Sequence, residues 1–445
     1  MYRYAAWRWS PALRVGGCTA FTCAMLSLGI VCAAEAGINV WTRIGDPQFT
    51  SLAIAPGEPS ALYASTSTSD DALVYKSIDR GSTWDQILDV GNPGAVIAAS
   101  SSIPNSVYVV VAPYGAGSEQ TDVHLLRSID GGATWDLPDA GLHRDSNTVA
   151  AIVALVIDPF TPGTLYAETD LGVFKSTDQA STWNALNTGL LSDSETLVYQ
   201  IVIDPVTSTT LYAGYIDHTE LINGLPKNGV LRSTDGGATW GAADTGLPFS
   251  AFPLLAIDPG MHDTLYVGTN VVTFGVDPGE FETKVGVFKS TDAGATWSSG
   301  YGIGLPADSR LNALVVDPHM STTLYAALYP GGVFQSEDGG TNWRPLNTGQ
   351  KFTGATNLTI DPLGPTTIYA STGGGIFSMQ QVAGCAGDCS GFGAVAINDL
   401  ITLVNIALGT AEPAVCAGGG LPVGGEVDVA VIIEAVNNAL SGCSG

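Results

Sequence analysis

The sequence predicts an all-β chain, a seven-bladed β-propeller closed by an N-terminal strand, followed by a small disulfide-linked α-helical module at the C-terminus. Three observations carry that expectation. A turn of the form Asp-Pro…Leu-Tyr-Ala recurs in five copies with two looser ones before them, an octapeptide of the form Ser-x-Asp-x-Gly-x-Thr-Trp recurs six times, and four cysteines are confined to the last 61 of 445 residues. Short β-branched and aromatic runs between Gly-, Pro-, Asn- and Asp-rich turns read as antiparallel strands, and four strands in about 40–57 residues make one propeller blade. The chain divides accordingly into a leader at 1–36, a propeller at 37–381 and a helical module at 382–445.

In the leader, Arg3, Arg8 and Arg14 precede the apolar run GGCTAFTCAMLSLGIVCAA, which ends in Ala34-Glu35-Ala36. Basic start, short apolar core and small-x-small ending describe a signal peptide cut after Ala36. The expected product is secreted, extracellular or periplasmic, with no membrane span after signal removal. The formal charge is −26, and losing the leader removes three basic residues but one acidic residue, so the remainder is more acidic still. Such a surface repels phosphate backbones and anionic lipid, which excludes nucleic acid as a partner. Neutral sugars, cationic proteins and calcium remain compatible with it.

Each repeat opens with a strand ending at the Asp-Pro turn. The residue in the Pro position and the following Tyr are always seven apart: Pro56 and Tyr63, Ser101 and Tyr108, Pro159 and Tyr166, Pro205 and Tyr212, Pro259 and Tyr266, Pro318 and Tyr325, Pro362 and Tyr369. A third strand like GVFKS follows, then the octapeptide, then a fourth strand beginning at Trp. The last repeat stops near Ser378 without octapeptide or Trp strand, whereas INVWTRIG at the start is a Trp strand with nothing before it. Placing that strand in the last blade closes the ring and removes open sheet edges.

The octapeptides are SIDRGSTW, SIDGGATW, STDQASTW, STDGGATW, STDAGATW and SEDGGTNW. They resemble the Asp-box, or bacterial neuraminidase repeat, of sialidases, sortilin-type receptors, a photosystem II assembly factor and xyloglucan-cleaving glycosidases. The resemblance implies a propeller and leaves function open. Asp79, Asp130, Asp178, Asp235, Asp292 and Asp338 read as turn locks. An Asp accepts backbone N–H groups, Gly takes left-handed backbone, and Trp covers the joint between sheets.

Both fixed-length turns emerge on one face of the ring. The opposite face varies, since 6 to 20 residues separate the Tyr from the apolar residue that opens the third-strand motif. Binding residues concentrate on loops held by a rigid scaffold. The candidates there are Tyr114, His143, Arg144, Asp145, Asp217, His218, Phe281, Glu282, Tyr301, Asp308 and Arg310. The expected function is non-catalytic binding of a protein or glycan ligand through this face. The alternative is a glycoside hydrolase acting on a neutral polysaccharide with a carboxylate pair there, and no catalytic residue is singled out. Sialidases clamp a carboxylate with three arginines; Arg43-Ile44-Gly45 echoes their Arg-Ile-Pro, but so acidic a chain is a poor host for an anionic sugar. No Gly-x-Ser-x-Gly or His-Glu-x-x-His motif is present.

Cys18, Cys23 and Cys32 leave with the leader. Cys385, Cys389, Cys416 and Cys443 form an even set in an exported chain, read as two disulfides with three possible pairings. The segment DCSGFGAVAINDLITLVNIALG resembles a dockerin or EF-hand-like unit, in which a calcium loop opens a helix. On a twelve-residue loop, Asp388 holds position 1, Ser390 position 3 and Asp399 position 12, while Phe392 stands at position 5. Calcium at those residues is the one cofactor the resemblance implies. Val404-Asn405-Ile406-Ala407-Leu408 recurs as Val436-Asn437-Asn438-Ala439-Leu440, so two amphipathic helices are expected to pack as a pair. Dockerins bind cohesins, and a cohesin-like or cell-surface partner is what the resemblance implies for the tail.

Overall fold

The computed structural model describes residues 40–45, 49–55, 61–66, 72–90, 95–99, 105–111, 124–138, 142, 152–161, 163–190, 196–222, 225–248, 250–274, 281–350, 352–363, 367–380, 397–410, 427, 429, 431–433 and 435–436. All belong to one compact unit, 35–445. The proposed leader, Tyr114, His143, Arg144, Asp145, Asp388, Ser390 and the four tail cysteines lie outside the described residues.

The chain begins with β1 (Thr42–Ile44). The first repeat gives β2 (Phe49–Ala55), β3 (Ala61–Thr66), β4 (Leu73–Ser77) and β5 (Asp85–Asp89). The second gives β6 (Ala95–Ala99), β7 (Val107–Val111) and β8 (His124–Ser128), and the third β9 (Ile152–Ile157), β10 (Leu165–Thr169), β11 (Gly172–Ser176) and β12 (Asn184–Ala185). The fourth gives β13 (Thr196–Ile203), β14 (Leu211–Ile222), β15 (Leu225–Ser233) and β16 (Gly241–Ala242), and the fifth β17 (Ser250–Ile257), β18 (Leu265–Phe274), β19 (Phe281–Ser290) and β20 (Ser298–Tyr301). The sixth gives β21 (Arg310–Val316), β22 (Leu324–Tyr329), β23 (Gly332–Ser336) and β24 (Arg344–Pro345). The last supplies β25 (Ala355–Asp361), β26 (Thr367–Thr372) and β27 (Gly375–Gln380), and β1 completes its sheet with Thr42 opposite Ser378 and Ile44 opposite Ile376.

Every sheet is an antiparallel meander, and each first strand touches that of the next repeat, with β25 returning to β2. The expectation of seven blades is corrected here. Among the described residues there are six four-stranded blades, while the second repeat forms a three-stranded sheet. Its fourth strand shrinks to one bridge, Arg127 opposite Asp136. The cause is Pro138. In the third repeat the equivalent Leu186 N–H donates to the Val173 carbonyl at 2.8 Å, and in the sixth Leu346 donates to Val333 at 2.8 Å. Proline has no N–H for that bond, so the ladder ends. Pro345 is tolerated because it stands opposite Phe334, one position before that donor.

The octapeptide turn is built alike wherever it occurs. In the fourth repeat Ser233 Oγ donates to Asp235 Oδ1 at 2.8 Å and accepts the Gly237 N–H at 2.9 Å. Asp235 accepts the Thr239 N–H at 2.9 Å and the Thr239 hydroxyl at 2.6 Å. Two successive residues take positive φ, as in Gly131 and Gly132, and a Cβ on Gly132 would lie 2.5 Å from Ile87 of the preceding sheet. Only glycine fits that approach unstrained.

Between sheets, the repeated Tyr and a cation from the third strand grip the next octapeptide. Lys76 Nζ donates to the Gly131 carbonyl, Arg127 to Gln179, and Lys175, together with the Tyr166 hydroxyl, to Gly236. Lys76, Lys175, Arg232 and Lys289 also lie over the Tyr rings of their own repeats, as Lys175 does at 5.1 Å. The sixth repeat has Gln335 and the last Ser378 at this position, and the last repeat has no octapeptide to be gripped. There Trp41 takes over at the seam. It is 2% exposed, its N–H donates to Thr348, its indole donates to the Leu346 carbonyl, and its ring meets Phe352 edge-on at 5.4 Å.

In the tail, α1 (Ile397–Ala407) is helical, as are 429, 431–433 and 435–436. Leu403, Ile406 and Ala435 are buried against each other with Leu400, Val427, Val431 and Ile432 around them. The expectation of a disulfide-linked helical module is corrected. No disulfide occurs among the described residues, and what joins the two helical segments there is apolar packing.

Candidate functional site

The Asp-Pro turns and the octapeptides are bonded to one another on one face, as in Gly236 N–H to Thr209 at 2.8 Å and Gly339 to Thr322 at 2.8 Å. The second-to-third-strand connections therefore leave on the opposite face. Three are tight, in the third, sixth and last repeats, such as the turn between Thr169 and Gly172, where the Thr169 hydroxyl donates to the Gly172 carbonyl at 2.8 Å.

The fourth and fifth repeats depart from that pattern. The long connections in the sequence read as loops, whereas the backbone continues as hairpins: β14 runs 12 residues and β18 runs 10, against five or six in the other second strands. Pairing extends to Ile222 opposite Leu225 and to Phe274 opposite Phe281. Val271 to Thr273 are β-branched or small polar residues facing Lys284 to Glu282, a composition that favours extended backbone. Two adjacent ribbons thus rise above the same side of the ring.

Asp217 sits where the fourth-repeat ribbon leaves the sheet, 2% exposed, with Lys227 directly across the ladder. His218, Phe281 and Glu282 lie on the ribbons by backbone position. Tyr301 ends β20 and packs, half-buried, against the cluster of Leu311, Leu314 and Trp343. Asp308 and Arg310 are exposed, and Arg310 opens β21 opposite Tyr329. The structure so gathers Asp308 and Arg310 in one repeat and Asp217 in another, with the fifth-repeat sheet between them.

Two residues of this region were missed by sequence reasoning. Tyr329 is 57% exposed and its ring covers Gly354, where a Cβ would lie 2.1 Å from Tyr329 Cδ2. Ser309 Oγ donates to the Pro330 carbonyl at 2.5 Å and ties the approach of β21 to the turn after Tyr329. The signal was the run Tyr329-Pro330-Gly331-Gly332, a rigid turn that presents its aromatic residue. An exposed ring paired across the ladder with an exposed arginine can stack on an apolar surface and hydrogen-bond its rim.

Glu168 is the other omission. It is 1% exposed, and burial pushes its carboxyl up to about 8, with the Ile201 N–H pulling the other way. At its position the other repeats carry Ser65, Val110, Gly214, Gly268, Ala327 and Ser371, and that one discordant residue was visible in the sequence. Asp130, Asp235 and Asp292 behave oppositely. Hydrogen bonds from the Thr134, Thr239 and Thr296 hydroxyls, and then from their N–H groups, hold these carboxyls down to about 2.

Among the described residues no three His, Cys, Asp or Glu side chains converge on a metal position, and no helix is long and apolar enough to cross a membrane. Asp399, one of the expected calcium ligands, lies in α1 by backbone.

No protein-family model and no curated protein sequence matches the chain. Solved structures do. A xyloglucanase of family GH74 from Xanthomonas campestris aligns over 76% of this chain and 53% of its own at 19% identity and a TM-score of 0.57. A GH74 enzyme from Niastella koreensis aligns over 73% of this chain and 50% of its own at 20% identity and a TM-score of 0.52. YCF48 bound to D1 peptide aligns over 80% of this chain and 100% of its own at 15% identity and a TM-score of 0.53. The chain spans about half the length of the GH74 enzymes it matches. At these identities the likeness establishes the β-propeller fold.

Proposed function

We propose that the chain is an exported, non-catalytic propeller of the Asp-box type that binds a protein or glycan through the face raised by β14–β15 and β18–β19. The leader at 1–36 directs export, 37–381 forms the propeller, and 382–445 serves as a docking module. The observation that carries this reading is the pair of double-length hairpins on adjacent blades, on the one face whose connections the repeat does not constrain. Tyr329, Arg310, Asp308 and Tyr301 extend the same region with the aromatic and charged groups that dominate recognition surfaces.

One feature favours binding over hydrolysis. The peptide-bound YCF48 structure is matched over its whole length, whereas the GH74 enzymes are matched over half of theirs. The described carboxylate candidates of this face are Asp217 and Asp308, on repeats separated by a third, and Glu282, on the fifth-repeat ribbon between them by backbone position, so product analysis decides whether any two act as the pair a glycosidase sets about a scissile bond. The test is a screen of the purified chain against immobilised neutral glycans and extracellular proteins, followed by product analysis on every hit. Retention without product is expected. Release of reducing ends from a neutral polysaccharide would replace this reading with the hydrolase.

A further inference from the structure

A titratable side chain that no binding role employs lies at the junction of the third and fourth repeats. Glu168 projects from β10 towards β13, and its Oε1 accepts the Ile201 N–H at 2.5 Å. Its Oε2 is buried and accepts no hydrogen bond among the described residues. At the next junction a neutral amide does the corresponding work. Gln200 Oε1 accepts the Leu255 N–H at 2.7 Å, and Gln200 Nε2 donates to the Leu255 carbonyl at 3.1 Å.

Ile201 and Leu255 are equivalent, each three residues before the aspartate of its Asp-Pro turn. In an antiparallel ladder the N–H and C=O of one residue point the same way. The Ile201 carbonyl therefore faces the side from which Glu168 takes the N–H, as the Leu255 carbonyl faces Gln200. A carboxylic acid, with one acceptor oxygen and one O–H donor, has the bonding pattern of a primary amide. A carboxylate lacks the donor.

We propose that Glu168 is a proton-carrying latch between the third- and fourth-repeat sheets, its neutral carboxyl holding the inner edge of β13 as the Gln200 amide holds that of β17. Among the described residues no cation acts on the carboxyl to stabilise the ionised form. The strands packed on β10 are β9, β11 and β13. β9 has no ionisable residue, β11 has Lys175, whose Nζ is engaged by Gly236 at 3.2 Å, and β13 has Tyr199. On β10 itself the other ionisable group is Tyr166, whose hydroxyl also donates to Gly236. Burial is the larger influence on the Glu168 carboxyl and raises it to about 8. The folded-state value lies above the unfolded one, so the latch is fully closed below the ordinary glutamate range and opens as pH rises through about 8. β13 is the strand from which the β14–β15 hairpin springs, so the latch holds the base of the ribbon.

The test uses the full chain and two independent readouts. Carbon-13 NMR of glutamate-labelled protein should show one side-chain carboxyl titrating near 8 that vanishes in Glu168→Gln. Thermal melts at about pH 4 and about pH 9 should show wild type losing stability at the higher pH, with Glu168→Gln matching wild type at the lower and exceeding it at the higher. The proposal is overturned if Glu168 titrates in the ordinary carboxylate range, if Glu168→Gln is the weaker protein at about pH 4 or fails to fold, or if it keeps the alkaline loss. Glu168→Ser, which installs the residue found at Ser65 and Ser371, should melt lower than wild type at about pH 4 and lose its alkaline dependence. A Ser variant that keeps that dependence assigns it to another group and also overturns the latch.

Discussion

The two faces of this propeller are made by the same strands and obey different rules. On the face of the Asp-Pro turns and octapeptides, each connection is bonded to its own repeat and to the next. Ser233, Asp235 and Thr239 close the turn locally while Lys175 and Tyr166 hold it from the sheet before. A residue added there would break bonds in two sheets at once, which explains the constant spacing of seven. On the opposite face a connection joins only two neighbouring strands of one sheet. Lengthening β14 and β15 costs the fold little and adds surface, so variation collects there.

That contrast is broken most severely where the ring closes. Trp41 fills the octapeptide Trp position without an octapeptide, and it ties the start of β1 to Leu346, Thr348 and Phe352. Trp41→Ala should destabilise the propeller by roughly 3–5 kcal/mol, read by urea denaturation. A loss under about 1 kcal/mol would mean that closure does not depend on the N-terminal strand.

Within a single turn, Ser233→Ala removes one donor and leaves the buried Gly237 N–H and the part-buried Asp235 N–H without their acceptor, for a cost of about 1–3 kcal/mol. Lys175→Met keeps the apolar stem and removes the bond to Gly236 and the charge over Tyr166, which should cost about 0.5–2 kcal/mol. If the Lys variant is the weaker of the two, the grip between sheets outweighs the local turn. The aspartates add a pH signature. Asp130, Asp235 and Asp292 are held to about 2, below their unfolded value, so their contribution is present above the ordinary aspartate range and lost as pH falls through about 2. Stability of Asp235→Asn should depend less on acid than that of wild type over this interval, by calorimetry.

Legibility in the sequence followed the same division. The strand order, the β1 closure and the turn locks could be read because one physical solution is written repeatedly, and each copy checks the others. Pro138 could not be weighed, since a proline one position earlier, Pro345, is harmless; the difference lies in which residue of the ladder donates. The ribbons were taken for loops because a two-stranded extension has no buried face and hence no alternating pattern. Tyr329 and Ser309 went unnoticed for lack of a sibling, since their arrangement occurs in the sixth repeat. Tyr114, the candidates at 143–145 and the expected calcium ligands Asp388 and Ser390 fall outside the described residues.

The comparison is sharpest where stability should not change at all. Replacing 218–226 by a two-residue turn would shorten β14 and β15 to the length of their counterparts while keeping Asp217 and Lys227 at the base. The segment lies beyond the last β13 partner, Thr196 opposite Asp217, so no ladder to the first strand is lost. Two-residue turns of the Asn-Gly kind match the twist of such strands. The melting temperature should stay within about 2 °C of wild type, because a ribbon with no third strand contributes little to a fold. Binding of the ligand found in the glycan and protein screen should fall at least about tenfold, or roughly 1.4 kcal/mol. An unchanged affinity would move the site off the ribbon, towards Tyr329 and Arg310. A drop in melting temperature with binding intact would make the ribbon part of the scaffold and erase the distinction between the faces.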